Sequence, residues 1–321
     1  KDGIEIYAPE REESLLKRLA EKSEGRLTEE SIRAIYREIM SAALSLEEDL
    51  KIAYLGPQGT WTHQAAISKF GHSVSYSPQE NLSAVFDQVA RKKADYGVVP
   101  IENSFEGSVN NTHDLLIDAN VNIYDEIQLR IRQCLISKAS DINQIDKVYS
   151  HPQSFAQCQS WLKANLPGAE LIPVFSNSEA AETVSNHNEA CIGSKILTKL
   201  YGLNLVKEGI EDSKENTTRF IILSHEQQDK HKDSKVSLII TPPDSDASGS
   251  LYNLLKPFAS EDINLLRIES RPFRGKLWSY VFFIDCQGSI EDKSIQNAIK
   301  SLNHQSIDVK VLGCYPSYKN Q

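Results

Sequence analysis

Four short polar segments sit where apolar runs end, and each holds side chains that could bind or protonate a small molecule. GPQGT at 56–60 follows the run KIAYLG: Gly56 and Gly59 allow tight backbone geometry, and Thr60 places a hydroxyl before a helical stretch. Such a spot suits a carboxylate or phosphate, although a plain strand-to-helix turn has the same signature. It is not a nucleotide phosphate loop, because no Gly-Lys-Ser/Thr follows. PIENS at 100–104 closes the run YGVVPI with Glu102, Asn103 and Ser104, and Gly107, Ser108 and Thr112 come soon after. A loop this rich in small donors can wrap an oxyanion or satisfy its own backbone. SHPQ at 150–153 carries His151, an acid or base near neutral pH or a structural histidine beside proline. NTTRF at 216–220 offers Thr217, Thr218 and Arg219, two hydroxyls and a planar guanidinium that matches carboxylates. No Ser-His-Asp arrangement, metal cluster or dinucleotide fingerprint can be read. The inventory points to a small anion handled without cofactor or metal.

A second group lies near the C-terminus. Gly249-Ser250-Leu251 opens a helical stretch, and IESRP at 268–272 ends a strand-like run. Small residues at a helix start favour a carboxylate and Glu269 could meet an ammonium, so together they fit an amino-acid zwitterion. The alternative is a sheet edge used only for dimerisation.

The elements that must hold these groups follow from hydrophobic periodicity. Across residues 51–223 the strand-like runs KIAYLG, YGVVPI, KVYS, ACIGS and FIILS alternate with helical stretches such as HQAAISKF, LSAVFDQVARK, SFAQCQSWLKANL and SEAAETVSNH. That order predicts an α/β domain with a largely parallel sheet, and its length allows two lobes with a cleft at strand C-terminal ends. Residues 224–235 read as a polar linker with solvated His225 and His231. Residues 236–318 read as βαββαβ, an α+β module.

Residues 1–49 read as two helices, the first opened by Pro9 and stopped by Gly25, the second capped by Thr28. Ile32, Ile35, Tyr36, Ile39, Met40, Ala43 and Leu46 form a stripe on a second helix of about 22 residues. Two helices do not close a core, so the pair needs another domain, a second chain or a third helix. A dimerisation hairpin fits the pattern. Against it, Arg11 shares a side with Leu15, and Glu47 shares the inner face with Met40 and Ala43; inward charges call for a ligand or each other.

Composition narrows the class. With 35 basic and 44 acidic residues the net charge is −9, which argues against a nucleic-acid footprint. The 40% hydrophobic content excludes disorder throughout. Five cysteines without C-x-x-C spacing fit a reducing cytoplasm. Neither an apolar run near 18 residues nor a signal peptide is present. A start at Lys1 without an initiator Met suggests a processed, trimmed or incomplete chain.

In combination the motifs carry a resemblance. GPQGT, GVVPIENSFEGSVNNTHDLL, SHPQSFAQCQSWL and NTTRF resemble the prephenate dehydratases. GSLYNLLKPFASEDINLLRIESRP with VLGCYP resembles their phenylalanine-binding ACT domain, and IYAPERE with IYREIMSAALSLEE resembles the last two helices of an AroQ-type chorismate mutase. The whole is similar to the bifunctional chorismate mutase/prephenate dehydratases. The resemblance implies a two-lobed catalytic domain of periplasmic-binding-protein type at 51–223 and an ACT domain at 236–318. It implies Thr218 as the essential hydroxyl, Arg219 holding a substrate carboxylate or the cleft wall, and Thr60, Asn103, Ser104 and Thr112 lining the same cleft. Glu102 and His151 stand in reserve as the acid. Glu269, Ser270, Arg271 and Pro272, completed by Gly249, Leu251, Asn264 and Leu265, imply a phenylalanine pocket at a contact between subunits of a homodimer or tetramer. Arg11, Glu12 and Glu47 match mutase positions, while Ala8 and Ala43 replace the usual Asp and Ser. The mutase fold also draws two arginines and a lysine from a region before this chain begins, which implies mutase activity only in a longer chain. The implied reaction takes prephenate to phenylpyruvate, with phenylalanine as feedback inhibitor. The alternatives are arogenate as substrate and a non-catalytic small-molecule sensor.

Overall fold

The charged N-terminal segment forms α1 (Pro9–Lys22) and α2 (Glu29–Glu47) in a computed structural model that describes residues 9–23, 25, 27–47, 49–227, 234–243, 247–273 and 279–317. Pro9 opens α1, where its missing N–H costs nothing. Thr28 Oγ1 accepts the Ser31 N–H at 3.2 Å, and Glu29 and Glu30 occupy the positive first turn of α2. Helix α2 has 19 residues and buries only part of its apolar stripe: Ile32 is buried, but Ile39 is 55% and Leu46 87% exposed. Its Ser41 Oγ accepts the Ser73 N–H at 3.1 Å, and Glu38 pairs with His72 at 2.7 Å, which docks it on the first lobe.

That lobe contains β1 (Lys51–Leu55), α3 (Trp61–Phe70), β2 (Ser75–Gln79), α4 (Leu82–Ala90), β3 (Tyr96–Asn103), β4 (Gly107–Ser108), α5 (Asn110–Asp118) and β5 (Asn122–Arg130). The chain then crosses to a second lobe: β6 (Cys134–Ser137), β7 (Lys147–Ser150), α6 (Pro152–Gln157), α7 (Gln159–Asn165), β8 (Glu170–Pro173), α8 (Asn177–Thr183), β9 (Glu189–Gly193), α9 (Ile196–Tyr201) and β10 (Asn204–Glu208). It returns through β11 (Thr217–Ser224), which inserts between β3 and β5 to give the order β2-β1-β3-β11-β5, with β4 paired to β3. The second sheet runs β10-β6-β9-β7-β8.

Only part of each sheet is parallel, which corrects the sequence expectation. β2, β1 and β3 run parallel, as do β8, β7 and β9, but β11, β5, β6 and β10 pair antiparallel. The departing strand β5 lies beside the returning strand β11, so the excursion through the second lobe works as one long hairpin connection. The stretch expected as one helix at 154–166 breaks at Cys158, because the Asp212 carboxylate accepts the Ser160 and Trp161 N–H groups at 2.9 and 3.0 Å and starts α7 afresh.

The third sheet joins β12 (Ser234–Thr241), β13 (Leu265–Pro272), β14 (Tyr280–Gln287) and β15 (Asp308–Pro316) in the antiparallel order β13-β14-β12-β15, with α10 (Ser250–Ser260) and α11 (Lys293–His304) on one face. Ser224 and Ser234 are strand residues and His225 is exposed; His231 and the middle of the expected linker lie outside the described residues. The sheet's other face shares a core with the first lobe: Ile239, Val281, Phe283, Leu312 and Tyr315 pack with Val85, Leu116, Ile123 and Ile221. A Cβ on Gly313 would stand 2.0 Å from the Ile123 carbonyl oxygen, so only glycine lets β15 lie this close to β5. Among the described residues no helix is long and apolar enough to cross a membrane. All five cysteines are buried and unpaired.

Candidate active site

Strand alternation decides which motif residues meet. On β11, Phe220 and Ile222 face the α3 side, while Ile221 and Leu223 face α4, α5 and the third sheet. Thr218 continues the first series and Arg219 the second. Directly opposite on β3, Thr218 pairs with Asn103 and Arg219 with Glu102, because the register shifts between the Phe220–Pro100 and Arg219–Glu102 pairs, where Ile101 is the extra residue of a bulge. One pair therefore stands at the strand ends on the α3 side and the other is turned to the C-terminal module.

The Asn103–Thr218 pair is tightly specified. Asn103 Oδ1 accepts the Phe105 and Glu106 N–H groups at 3.0 and 3.1 Å, which fixes its amide so that Nδ2 donates. That nitrogen donates to Asn216 Oδ1 at 2.7 Å and to Thr218 Oγ1 at 2.9 Å. Thr218 is thus an acceptor here, and its own hydrogen meets no acceptor among the described residues. Ser104 donates to the Glu215 carbonyl at 3.1 Å and accepts the Thr217 N–H at 3.0 Å, tying the two loops together.

The second lobe brings its own polar groups near these contacts. His151 caps α6 with Nδ1 accepting the Gln153 N–H at 3.2 Å, and Asn177 Oδ1 takes bonds from Ser150 Oγ and the His151 N–H, each at 3.1 Å. The lobes touch where Gln153 Nε2 donates to Glu106 Oε1 and where Ser194 Oγ donates to the Gly59 carbonyl at 3.1 Å. Gln133 donates to Gln157 Oε1 at 2.9 Å, while Gln133 Oε1 and Ser178 Oγ are buried without a hydrogen-bond partner. Among the described residues no cluster of His, Cys, Asp or Glu is placed to hold a metal ion.

Several expected site residues do other work. Thr60 is the N-cap of α3: its hydroxyl accepts the His63 N–H at 3.3 Å and donates to the Leu55 carbonyl at 3.1 Å. The Gly59 N–H donates to His63 Nδ1 at 3.1 Å, so it is not an open anion cradle. His63 stacks on Tyr54, and burial with the nearby His72 pulls its pKa down to about 4, leaving it neutral. Thr112 does not line the cleft: it is 0% exposed and donates to the Pro100 carbonyl at 2.6 Å. Arg219 does not face the crevice either. Its side chain is 12% exposed and meets Glu126 at 2.8 Å, Asp285 at 2.7 Å and Glu102 at 3.4 Å. Burial opposes its charge, but Asp285, Tyr315 and Glu126 outweigh it and raise its pKa further. Glu102 shares that face and is no candidate acid for the crevice; Arg267 Nε lies 3.2 Å from it.

The network extends into the third sheet. Lys235 Nζ is 2.5 Å from Glu126, and Ser237 donates to Asp285 at 2.5 Å. Burial opposes ionisation of Asp285, but Arg219 and Lys235 prevail and hold its pKa low. Arg267 also reaches Ser108 Oγ at 2.7 Å and His113 Nε2 at 3.1 Å. His113 Nδ1 then donates to the Val109 carbonyl at 3.0 Å, and burial keeps the ring's pKa down.

The expected effector residues divide between two faces. Glu269 and Arg271 point to the first lobe, where Arg271 meets Asp114 at 3.2 Å and Asn110 at 2.8 Å and Glu269 lies 3.6 Å from Arg267. That corrects their placement in one pocket with Ser270 and Pro272, which are exposed, as are Gly249, Leu251 and Asn264; Leu265 is half-buried. Of the mutase positions, Glu12 is half-buried and Glu47 and Ala43 are exposed; the Arg11 side chain lies outside the described residues.

Sequence reasoning missed Asn216, Asn177, Glu126, Asp285 and Arg267. The two acids had a signal: each interrupts an apolar strand run, NIYDEIQL and YVFFIDC, where only a buried partner makes a carboxylate tolerable.

Fold and site define a two-lobed α/β protein with hydroxyls and amides at strand ends beside the contacts between its lobes and a βαββαβ module docked on its first lobe. A family profile described as prephenate dehydratase matches residues 52–228, and one described as chorismate mutase type II matches residues 1–48. The bifunctional chorismate mutase/prephenate dehydratase of Stutzerimonas stutzeri is 42% identical over 97% of this chain and 85% of its own. That of Aquifex aeolicus is 40% identical over 98% and 88%. The solved prephenate dehydratase of Arthrobacter aurescens in complex with L-Phe has a TM-score of 0.75 at 30% identity, covering 84% of this chain and 90% of its own. The chain belongs to the prephenate dehydratase family.

Proposed function

We propose that the crevice converts prephenate to phenylpyruvate, carbon dioxide and water, with the Thr218 hydroxyl delivering the hydrogen bond or relayed proton that lets the ring hydroxyl depart. The carboxyl-bearing ring carbon releases carbon dioxide, its bonding electrons enter the ring, and the C–OH bond breaks on the far side as the ring becomes aromatic. The prephenate dianion takes up one proton, giving the phenylpyruvate monoanion and neutral water. Thr218 is too weak an acid to be the proton's ultimate source, so it relays or orients. One observation carries the reading: Asn103 donates to Thr218 Oγ1 at 2.9 Å, which leaves the hydroxyl hydrogen to point away from Asn103. With Arg219 committed elsewhere, the substrate carboxylates meet neutral polar groups of the second lobe. Mixing the protein with prephenate and reading phenylpyruvate absorbance in alkali tests the activity. Thr218→Val should lower turnover by about 10²–10⁴-fold with the fold intact, and wild-type turnover would reject the assignment.

The same reading makes residues 51–223 the dehydratase, a two-lobed domain of periplasmic-binding-protein type crossed twice by the chain, and residues 236–318 an ACT domain that binds phenylalanine. The relative solved with L-Phe supports it. On β13, Leu265 and Ser270 are about 17 Å apart at strand rise, too far for one small pocket in a single chain. Strand β13 is a sheet edge with Leu266 and Ile268 exposed, and antiparallel pairing with its copy would bring one chain's 264–265 end to the other's 270–272 end. A homodimer therefore completes the pocket. Residues 1–49 are the chorismate mutase segment, and the buried, unpaired cysteines suit a cytoplasmic enzyme.

A further inference from the structure

Two strand pairs lie back to back between the C-terminal sheet and the crevice. On β13, Arg267 faces the first lobe while its neighbours Leu266 and Ile268 are exposed on the other side. On β3, Glu102 faces the module while the next residue, Asn103, holds Thr218. Glu102 is the point where they join: its carboxylate takes Arg267 Nε at 3.2 Å and Arg219 Nη1 at 3.4 Å. Arg219 is itself the residue after Thr218 and is clamped to Asp285 of β14 at 2.7 Å. Arg267 is further locked by Ser108 and His113, which bracket the start of α5. A displacement of β13 against the first lobe must break these bonds or drag Glu102, and a backbone shift at Glu102 moves Asn103 directly.

We infer that Arg267, acting through Glu102, is the positioning residue that passes effector binding at the C-terminal sheet to the Asn103–Thr218 pair. Effector seated against the exposed side of β13 changes the strand's set, Arg267 pulls or releases Glu102, and the Thr218 hydroxyl gains or loses its aim. The inference rests on the proposed phenylalanine site. It requires that phenylalanine bind the two arrangements with different affinity, the condition for any allosteric effect. Arg219 and Asp285 form a second, more buried arm whose loss would cost fold as well as coupling, so Arg267 is the place to cut.

The test uses the full chain and Arg267→Met, which keeps length and removes the fork. Calorimetry reads phenylalanine binding, and phenylpyruvate formation reads turnover with and without phenylalanine. The expected result is uninhibited turnover and phenylalanine affinity each within about threefold of wild type, with inhibition incomplete, so that turnover at saturating phenylalanine stands at least about tenfold above that of the inhibited wild type, at the lower end of measured allosteric couplings. Wild-type inhibition in Arg267→Met overturns the inference, and so does loss of phenylalanine binding, which would place Arg267 in the effector pocket. A wild-type chain that binds no phenylalanine defeats the underlying regulatory reading instead, and calorimetry tells the two failures apart. Should Arg267→Met fail to fold, Glu102→Gln carries the same prediction, judged on the ratio of inhibited to uninhibited turnover. If both variants fold, the double variant should be no less sensitive than the weaker single one, because both cut one link; an additive loss contradicts it.

Discussion

Replacing Arg219 by methionine separates a structural role from a substrate-binding one. The side chain is 12% exposed and neutralises Glu126 and Asp285, at 2.8 and 2.7 Å, both themselves nearly buried. Arg219→Met leaves those carboxylates with Lys235 and Ser237 alone. Removing one partner of a buried pair costs about 3–5 kcal/mol, because the remaining charge keeps its desolvation penalty. The pH dependence has a definite sign. Asp285 is held below its ordinary pKa, so its contribution to wild-type stability is present above about pH 4, the unfolded value, and fades as pH falls toward the folded one. Urea unfolding of both proteins at pH 7 and well below about pH 4 should therefore show the larger gap at pH 7. In steady-state assays at a temperature where the variant is folded, kcat should fall because Thr218 is the adjacent residue, while KM for prephenate changes by less than about threefold. Unchanged stability with a more than tenfold rise in KM would refute the reasoning and return Arg219 to the substrate carboxylate.

Four further outcomes follow from the geometry. Asn103→Asp puts a carboxylate oxygen where Nδ2 now donates to Thr218, so the hydroxyl hydrogen turns toward it and away from the crevice; kcat should drop by about 10²-fold with a smaller change in KM, and near-normal kcat would count against the relay. Gly313→Ala forces a methyl against the Ile123 carbonyl at 2.0 Å; calorimetric melting should show about 1–3 kcal/mol of destabilisation, and an unchanged melt would mean β15 does not sit this close. Glu189 accepts from the Ser185 N–H and hydroxyl and the Asn186 N–H, and these bonds, the Ser185 N–H foremost, lower its pKa to about 2. Glu189→Gln should cost about 2 kcal/mol at pH 7, with the difference shrinking as pH falls from 4.5 toward 2; thermal melts across that range check it. Ile268→Lys on the β13 edge should shift sedimentation toward monomer if the copies pair there, and an unchanged dimer would place the contact elsewhere.

Periodicity revealed the strands that carry the site and the βαββαβ order, because apolar runs and turn residues act locally. Thr218 and Asn103 were legible as polar groups at strand ends. Their partnership required the register of β3 against β11, strands separated by the whole second lobe, and nothing local encodes that. The misplacement of Arg219 has the same origin: beside two threonines it reads as a carboxylate binder, but alternation puts it on the other face, where Glu126 and Asp285 wait. Thr60 and Thr112 were overvalued because a capping hydroxyl and a buried hydroxyl look in sequence like ligand donors. The mixed sheets escaped notice because strand direction is set by distant pairing, β5 with β11 and β6 with β9, which no local run encodes.

The central claim is that prephenate lies between the lobes with its ring hydroxyl against Thr218. The most direct measurement is a crystal structure of the protein with an unreactive prephenate analogue that keeps the ring hydroxyl and both carboxylates. The account predicts that hydroxyl within about 3 Å of Thr218 Oγ1, with Asn103 still donating to Thr218 from the other side. An analogue bound elsewhere, or bound in the crevice with its hydroxyl turned from Thr218, would contradict it.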